Sequence, residues 1–147
     1  MTKFDPAVRY PKPLIDKLGV KPGHRVSVLG LPADAAFRAQ VAERAATLSW
    51  GRLLKGSDLV FVAITRVAHL EQLPRLREAI VPGGAIWPLW PKGRKELRED
   101  DVRAAALASG LVDVKVVAFS EVLSALKLVI PVSQRPRQGV KEARGER

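Results

Sequence analysis

Residues 76–90 read LREAIVPGGAIWPLW, and this stretch decides the fold because it ends a helix and begins a strand. Around the start of this stretch, apolar residues recur three or four positions apart, at Leu70, Leu73, Leu76 and Ile80. That spacing predicts a helix over residues 67–80. A proline and two glycines at 82–84 then end the helix and turn the chain. The apolar run Ala85–Trp90 predicts a strand.

The alternation of strand and helix continues toward the N-terminus. Further strands are predicted at Arg25–Leu31 and Leu59–Ile64, whose nearly continuous apolar character is typical of strands covered on both faces. The predicted helices are Leu14–Leu18, Ala33–Ala46 and, after the third strand, Glu96–Ser109. Thr47–Leu54 is compatible with either a short strand or a loop. Because strands that alternate with helices are parallel neighbours with right-handed connections, these segments predict a parallel sheet.

The end of the sheet is predicted to be different. Val114–Phe119 and Leu126–Ile130 are apolar segments with only six residues between them. Six residues are too few for a helical crossover, so this pair is expected to form an antiparallel hairpin. The fold class is therefore α/β, a three-layer sandwich with a mostly parallel sheet and a C-terminal antiparallel hairpin.

Length and proline content divide the chain into three parts. The 147 residues, 47% of them hydrophobic, are enough to fill one core. We expect an extended N-terminal arm over residues 1–13, where three prolines prevent regular hydrogen bonding. One α/β domain is expected over residues 14–132. A basic tail over residues 133–147 is expected to be disordered because its charged side chains cannot bury apolar surface.

Composition argues against several classes of function. The chain has no cysteine and two histidines, which excludes disulfides and thiolate metal sites, and we expect no metal. No apolar run approaches the roughly 20 residues that a membrane-spanning helix needs, so no membrane association is expected. The N-terminus lacks the pattern of a secretory signal, and we expect a cytoplasmic protein.

The formal net charge of +10 attracts anionic partners over long range. Residues 134–147 contribute +3, from five basic and two acidic side chains, and the remaining excess is spread along the folded part. We interpret this distribution as a feature of a soluble surface. Binding of nucleic acid or another polyanion stays as an alternative.

Several phrases resemble class I S-adenosylmethionine-dependent methyltransferases. Residues 19–26, GVKPGHRV, resemble the lead into their first strand, and residues 58–62, DLVFV, resemble their fourth strand. The helix, proline and two glycines of residues 76–86 are similar to the approach to their fifth strand. The resemblance covers roughly residues 13–132 and implies a Rossmann-like fold.

A shorter bacterial family of uncharacterised methyltransferase-like proteins resembles the chain more closely. Its Trp-Pro-Lys phrase after a strand is similar to residues 90–92, and its Ser-Ala/Gly-Leu-Lys/Arg phrase is similar to residues 124–127. This resemblance implies a truncated methyltransferase-like fold, with about one strand and one helix missing between Leu54 and Asp58. It implies no particular activity.

The chain departs from the methyltransferase pattern where the cofactor would bind. The family has an acidic residue and three alternating glycines there, because bare backbone lets the cofactor approach a helix N-terminus. Val28 stands at the acidic place, Gly30 keeps the first glycine, and Pro32 and Asp34 replace the other two. Thr47–Leu54 also lacks the carboxylate that would hold a ribose. We therefore expect no cofactor, with S-adenosylmethionine as the alternative.

Ligands of open parallel sheets bind at the carboxyl ends of the strands. The residues that follow the three predicted parallel strands form the candidate ligand pocket: Gly30, Leu31, Pro32, Thr65, Arg66, Trp90, Lys92 and Arg94. Thr65, Arg66 and Lys92 are the candidate anion ligands, and the ring of Trp90 is a candidate stacking face. The alternative is structural: Thr65 caps a helix, the tryptophans pack, and the cations are solvated.

Other polar groups have simpler explanations. The basic cluster at 92–95 suits a solvated loop, although it could contact phosphates. The acidic run at 99–101 suits the N-terminus of its helix. His24 and His69 have no serine or aspartate partner placed by a motif, so no catalytic triad is predicted.

The sequence predicts a noncatalytic binding or regulatory module without a working S-adenosylmethionine site. A divergent methyltransferase and a nucleic-acid or polyanion binder are the alternatives. The sequence does not distinguish three possible partners: another protein, an anionic ligand, or a second copy of the chain in a homo-oligomer.

Overall fold

The computed structural model describes residues 13–135, which form one sheet with helices on both faces. The strands are β1 Arg25–Leu29, β2 Thr47–Trp50, β3 Ser57–Ala63, β4 Ile80–Pro91, β5 Val112–Ala118 and β6 Leu123–Val129. The helices are α1 Leu14–Lys17, α2 Ala35–Arg44, α3 Leu73–Ala79 and α4 Glu99–Ala108, with 3-10 turns at Val67–Gln72 and Val132–Gln134. The predicted arm and tail lie almost entirely outside the described residues and stay predictions.

The strand order is β2-β1-β3-β4-β6-β5. The first four strands are parallel neighbours, while β6 runs antiparallel to both β4 and β5. The predicted mostly parallel sheet with a C-terminal antiparallel hairpin is therefore confirmed. The segment at 47–54, which the sequence left open, begins with an edge strand of four residues.

Two apolar cores cover the two faces of the sheet. Core A, beneath α1 and α2, contains Leu18, Phe37, Phe61 and Trp87 among its buried residues. Core B, beneath α3 and α4, contains Leu73, Leu76, Val102 and Ile86 among its buried residues. The helices thus bury apolar stripes on opposite faces, and the three-layer arrangement is confirmed.

The connection from β2 to β3 crosses the sheet without a helix, over residues 51–56. Parallel strands of one sheet usually need a crossover of a dozen or more residues, and here six residues pass over β1. Here the crossing chain lies over Ser27 of β1, whose hydroxyl accepts a hydrogen bond from the Leu54 N–H at 2.9 Å. The Ser57 hydroxyl donates to the Leu54 carbonyl at 2.6 Å, and the two serine oxygens lie 2.8 Å apart. Two buried serines therefore hold a shortened connection, in agreement with the predicted loss of a strand and helix.

The predicted helix over 67–80 is divided into a 3-10 turn and α3. Pro74, at the start of α3, has no N–H to continue a helical ladder back into the preceding turn, which explains the division. The prediction that residues 82–84 form a turn is wrong, because β4 begins already at Ile80. Gly84 is needed within the strand, since a Cβ there would lie 2.8 Å from the Asp58 carbonyl oxygen.

Other boundaries also differ from prediction by a few residues, and two of these differences have a visible cause. β1 ends at Leu29 rather than at residue 31, because Gly30 has a φ of +76° and leaves the strand conformation. α4 begins at Glu99 rather than at residue 96. The Asp101 carboxylate accepts a hydrogen bond from the Arg98 N–H at 2.8 Å and so fixes this start. Within residues 13–135, no helix combines the length and the apolar character required to cross a membrane.

Candidate functional site

The carboxyl ends of β1 and β3 enclose a cavity of about 340 Å³. Its lining residues are Leu29, Gly30, Val62, Ala63, Thr65, His69 and Gln72. Gly30 leaves β1 here, and a Cβ at this position would lie 3.4 Å from the Cβ of Ala63. The two strand ends are therefore close together, and the cavity opens above small side chains.

The polar side of this cavity is organised around His69. The Thr65 N–H donates to Nδ1 of His69 at 3.0 Å, and the Thr65 hydroxyl oxygen lies 3.3 Å from the same nitrogen. Because a backbone N–H can only donate, Nδ1 of His69 accepts the hydrogen bond from Thr65. The Gln72 amide donates to the His69 carbonyl at 2.9 Å. The cavity thus presents an oriented imidazole.

Sequence reasoning missed His69 and Gln72 as members of this cavity. A histidine four residues after a threonine at a strand end is the signal that could have shown it. The N-cap of the 3-10 turn is Arg66, so Thr65 contacts His69 instead of capping the turn. Arg66 is exposed beside the cavity, with Nε 3.4 Å from Nε2 of His69.

A second depression, of about 210 Å³, lies where β1 leads into α2. It is lined by Leu31, Pro32, Ala33, Asp34, Phe37, Phe119 and Leu123. The carboxylate of Asp34 accepts a hydrogen bond from the Phe37 N–H at 3.0 Å and so caps α2. A negatively charged side chain therefore already occupies the N-terminus of this helix.

Aromatic rings surround the same region from below. The ring of Phe37 meets those of Phe119 and Phe61 edge-on, with centroids 5.0 and 5.5 Å away, and that of Trp50 at 6.2 Å. The guanidinium of Arg38 lies 5.5 Å above the Trp50 ring at the end of β2. The end of β2 thus presents an aromatic ring and a cation.

The remaining candidate residues lie in a third depression, of about 400 Å³, whose lining includes Trp90, Lys92, Arg94, Glu99 and Ser124. Trp90 is 3% exposed and packs in core B, so its ring offers no open face for stacking. The Lys92 ammonium donates to the Ser120 carbonyl at 2.7 Å. Arg94 is exposed.

The structure therefore distributes the candidate pocket over three depressions. Gly30 and Thr65 line the first, Leu31 and Pro32 line the second, and Trp90, Lys92 and Arg94 line the third. Within residues 13–135, no three acidic or histidine side chains come close enough together to bind a metal ion.

No protein-family model matches the sequence, and no curated protein matches it either. Solved structures do match. A protein assigned as a methyltransferase from Thermoplasma acidophilum has a TM-score of 0.62 at 9% identity, over 89% of this chain and 80% of its own. One assigned as a type 11 methyltransferase from Sulfolobus solfataricus has a TM-score of 0.62 at 13% identity, over 85% of this chain and 94% of its own.

A SAM-dependent methyltransferase from Aquifex aeolicus matches 80% of this chain and 88% of its own, with a TM-score of 0.53 at 14% identity. Identities this low show a shared fold and leave activity open. With its six-stranded mixed sheet and its crossing at residues 51–56, the chain has a truncated form of the Rossmann-like fold of class I S-adenosylmethionine-dependent methyltransferases.

Proposed function

We propose that this chain is a noncatalytic, methyltransferase-like binding module that does not use S-adenosylmethionine. The observation that carries the proposal is the cap of α2, where Asp34 accepts the Phe37 N–H at 3.0 Å. A helix N-terminus attracts anions through its free N–H groups and its dipole. At this helix a carboxylate of the chain itself takes that position.

The backbone before the helix gives further support. Pro32 has no N–H and its ring fills space that a glycine would leave open. Asp34 also places a negative charge at the helix N-terminus, where the carboxylate of the cofactor's amino-acid end would lie. A ligand with an amino-acid end would therefore lose hydrogen bonds here and meet like charge.

The ribose side of a cofactor would also lack its partner. Val28, at the acidic place of the pattern, is fully buried in core A. At the end of β2, Arg38 covers the ring of Trp50 at 5.5 Å. Neither position supplies an acceptor for ribose hydroxyls, so the described residues do not fit S-adenosylmethionine.

A different ligand suits the cavity at His69. It has apolar walls from Leu29 and Val62 and an oriented imidazole beside Thr65, an arrangement that favours a small, partly polar ligand. We interpret this cavity as the binding site of the module. A divergent methyltransferase is the alternative, favoured by the SAM-dependent activity in the name of the protein from Aquifex aeolicus.

Calorimetric titration with S-adenosylhomocysteine tests the proposal. We expect no saturable heat from the wild-type chain, and no rise in melting temperature at millimolar ligand. A site with a Kd one hundredfold below the ligand concentration would add about 2.7 kcal/mol to the free energy of unfolding, which shifts the melting temperature by several degrees.

The variant Asp34→Asn provides a matched control, because asparagine also caps helices but carries no charge. Binding by the variant alone would identify the Asp34 charge as the barrier and support the proposal. Saturation at one ligand per wild-type chain would overturn it.

A further inference from the structure

Two lysines face each other on one side of the C-terminal hairpin. In β6, Lys127 lies between Ala125 and Val129, both of which pack in core A, so strand alternation places Lys127 on that face. Lys115 of β5 is the direct cross-strand partner of Lys127. Partners that lie opposite each other share a face, so both ammonium groups project on the core A side.

A third lysine approaches from the turn after α1. The indole N–H of Trp87 donates to the Leu18 carbonyl at 3.1 Å, which fixes the end of α1 against β4. In the antiparallel pair of β4 and β6, Ile86 lies opposite Leu128 and Leu89 lies opposite Ala125. The same register places Trp87 opposite Lys127. Lys21 begins the turn that ends at His24, three residues after Leu18, and its charge lowers the pKa of the Lys127 ammonium.

The neighbourhood of Lys127 opposes its charge. Burial lowers the pKa of the Lys127 ammonium, and the charges of Lys115 and Lys21 lower it further. Within residues 13–135, none of the three lysines forms a salt bridge. Asp113 of β5 pairs with Arg103 at 2.6 Å.

Like charges on directly opposed strand positions destabilise a sheet. A cluster of three cations that the described part of the fold does not neutralise therefore calls for an anion from outside. Several positive charges around one point suit a phosphoryl group, which carries up to two negative charges and several acceptor oxygens.

We propose that Lys21, Lys115 and Lys127 form a binding site for a phosphoryl group of a small soluble compound. The surface around the cluster argues for a compact ligand over a nucleic acid. Among residues 13–135, the large apolar side chains that are exposed are all aliphatic. Bases stack on aromatic rings, which this surface does not present. The site is separate from the His69 cavity, so this proposal and the proposed function can fail independently.

Titration of the full chain with inorganic pyrophosphate at constant ionic strength tests the site. We expect saturable binding at one per chain, and at least tenfold weaker binding by Lys127→Met. The control Lys55→Met removes the same charge from an exposed turn in the connection between β2 and β3, outside the hairpin, and should change the Kd by less than twofold. Equal weakening by both variants would show that only the overall charge matters and would overturn the proposal.

Melting temperatures measured without ligand separate binding from folding. We expect Lys127→Met to melt at or above the temperature of the wild type, because the substitution removes a partly buried charge from beside two others. Failure of the wild type to saturate with pyrophosphate overturns the site. The same titration is made with a single-stranded DNA 12-mer. If the wild type binds this oligonucleotide but not pyrophosphate, and Lys127→Met abolishes the binding, the lysines belong to a nucleic-acid site and the proposal is wrong.

Discussion

The crossing segment and the lysine cluster both place polar groups against the sheet, but only the first satisfies them. At the crossing, Ser27 and Ser57 are fully buried, and their hydroxyls bond to each other and to both backbone groups of Leu54. In the lysine cluster, Lys115 and Lys127 lie opposite each other with no anion from the described residues between them.

The difference separates structural polar groups from groups that are available for binding. A buried polar group with all its partners stabilises one conformation, and its removal costs stability. Like charges placed directly opposite each other on neighbouring strands lower stability, and binding sites can carry such a cost. Substitution at the two regions should therefore change stability in opposite directions.

The largest loss is expected for Ser27→Val. The variant leaves the Leu54 N–H without its acceptor and adds volume where the crossing chain touches β1. We expect the free energy of unfolding to fall by about 2–4 kcal/mol, from an unsatisfied buried donor and from overpacking. Urea denaturation measures this change.

Ser49→Val is the control, because Ser49 is the β2 neighbour of Ser27 in the sheet but is only partly buried. The Ser49 hydroxyl donates to the Arg52 carbonyl at 2.7 Å in an exposed position, where water can replace that bond in the variant. A β-branched residue suits an edge strand, and the change should stay within about 0.5 kcal/mol. Equal losses in the two variants would contradict the special role of the Ser27 hydroxyl.

Substitution of Asp34 tests whether the cap of α2 is a structural polar group or a group available for binding. If its carboxylate is structural, Asp34→Ala should lower the free energy of unfolding by about 1 kcal/mol, while Asp34→Asn should stay within a few tenths of the wild type. Thermal unfolding of the three proteins gives the comparison. An alanine variant as stable as the wild type would place Asp34 with the lysines, as a group free to meet a ligand.

The sequence predicts the architecture because its signals are local. Apolar runs and helical spacing identify β1, β3, β4 and the helices, and the six-residue gap before residue 126 predicts the hairpin. The exact ends depend on tertiary contacts. Gly84 looks like a turn residue in sequence, yet it lies within β4. A glycine is needed there because β3 passes too close for a side chain.

The candidate sites are harder to predict because they depend on how strand ends are spaced. The carboxyl-end rule identified Gly30 and Thr65, but it could not show that His69 folds back onto Thr65 through a 3-10 turn. Lys115 and Lys127 are twelve residues apart, and only the register of the hairpin, with its irregularity between residues 113 and 115, brings them opposite each other.

The smallest effect concerns the pH dependence of the lysine cluster. The pKa of Lys127 is lowered in the folded chain from the ordinary 10.5, first by burial and then by Lys115 and Lys21. Between the lowered pKa and 10.5 the unfolded chain binds more protons than the folded chain, so stability contributed by this group rises with pH in that window. Below the lowered pKa the full penalty is present, and Lys127→Met should be more stable than the wild type by about 0.2–1 kcal/mol.

Urea denaturation at pH 8 and pH 10.5 measures whether this advantage disappears. We expect the difference between Lys127→Met and the wild type to shrink toward the higher pH, and to be smaller in high salt because the like charges are then screened. The difference between Lys55→Met and the wild type should hold steady over the same range, since Lys55 lies in an exposed turn. An advantage of Lys127→Met that grows with pH would mean that Lys127 has an anionic partner in the folded chain, and the contrast with the serine crossing would fail.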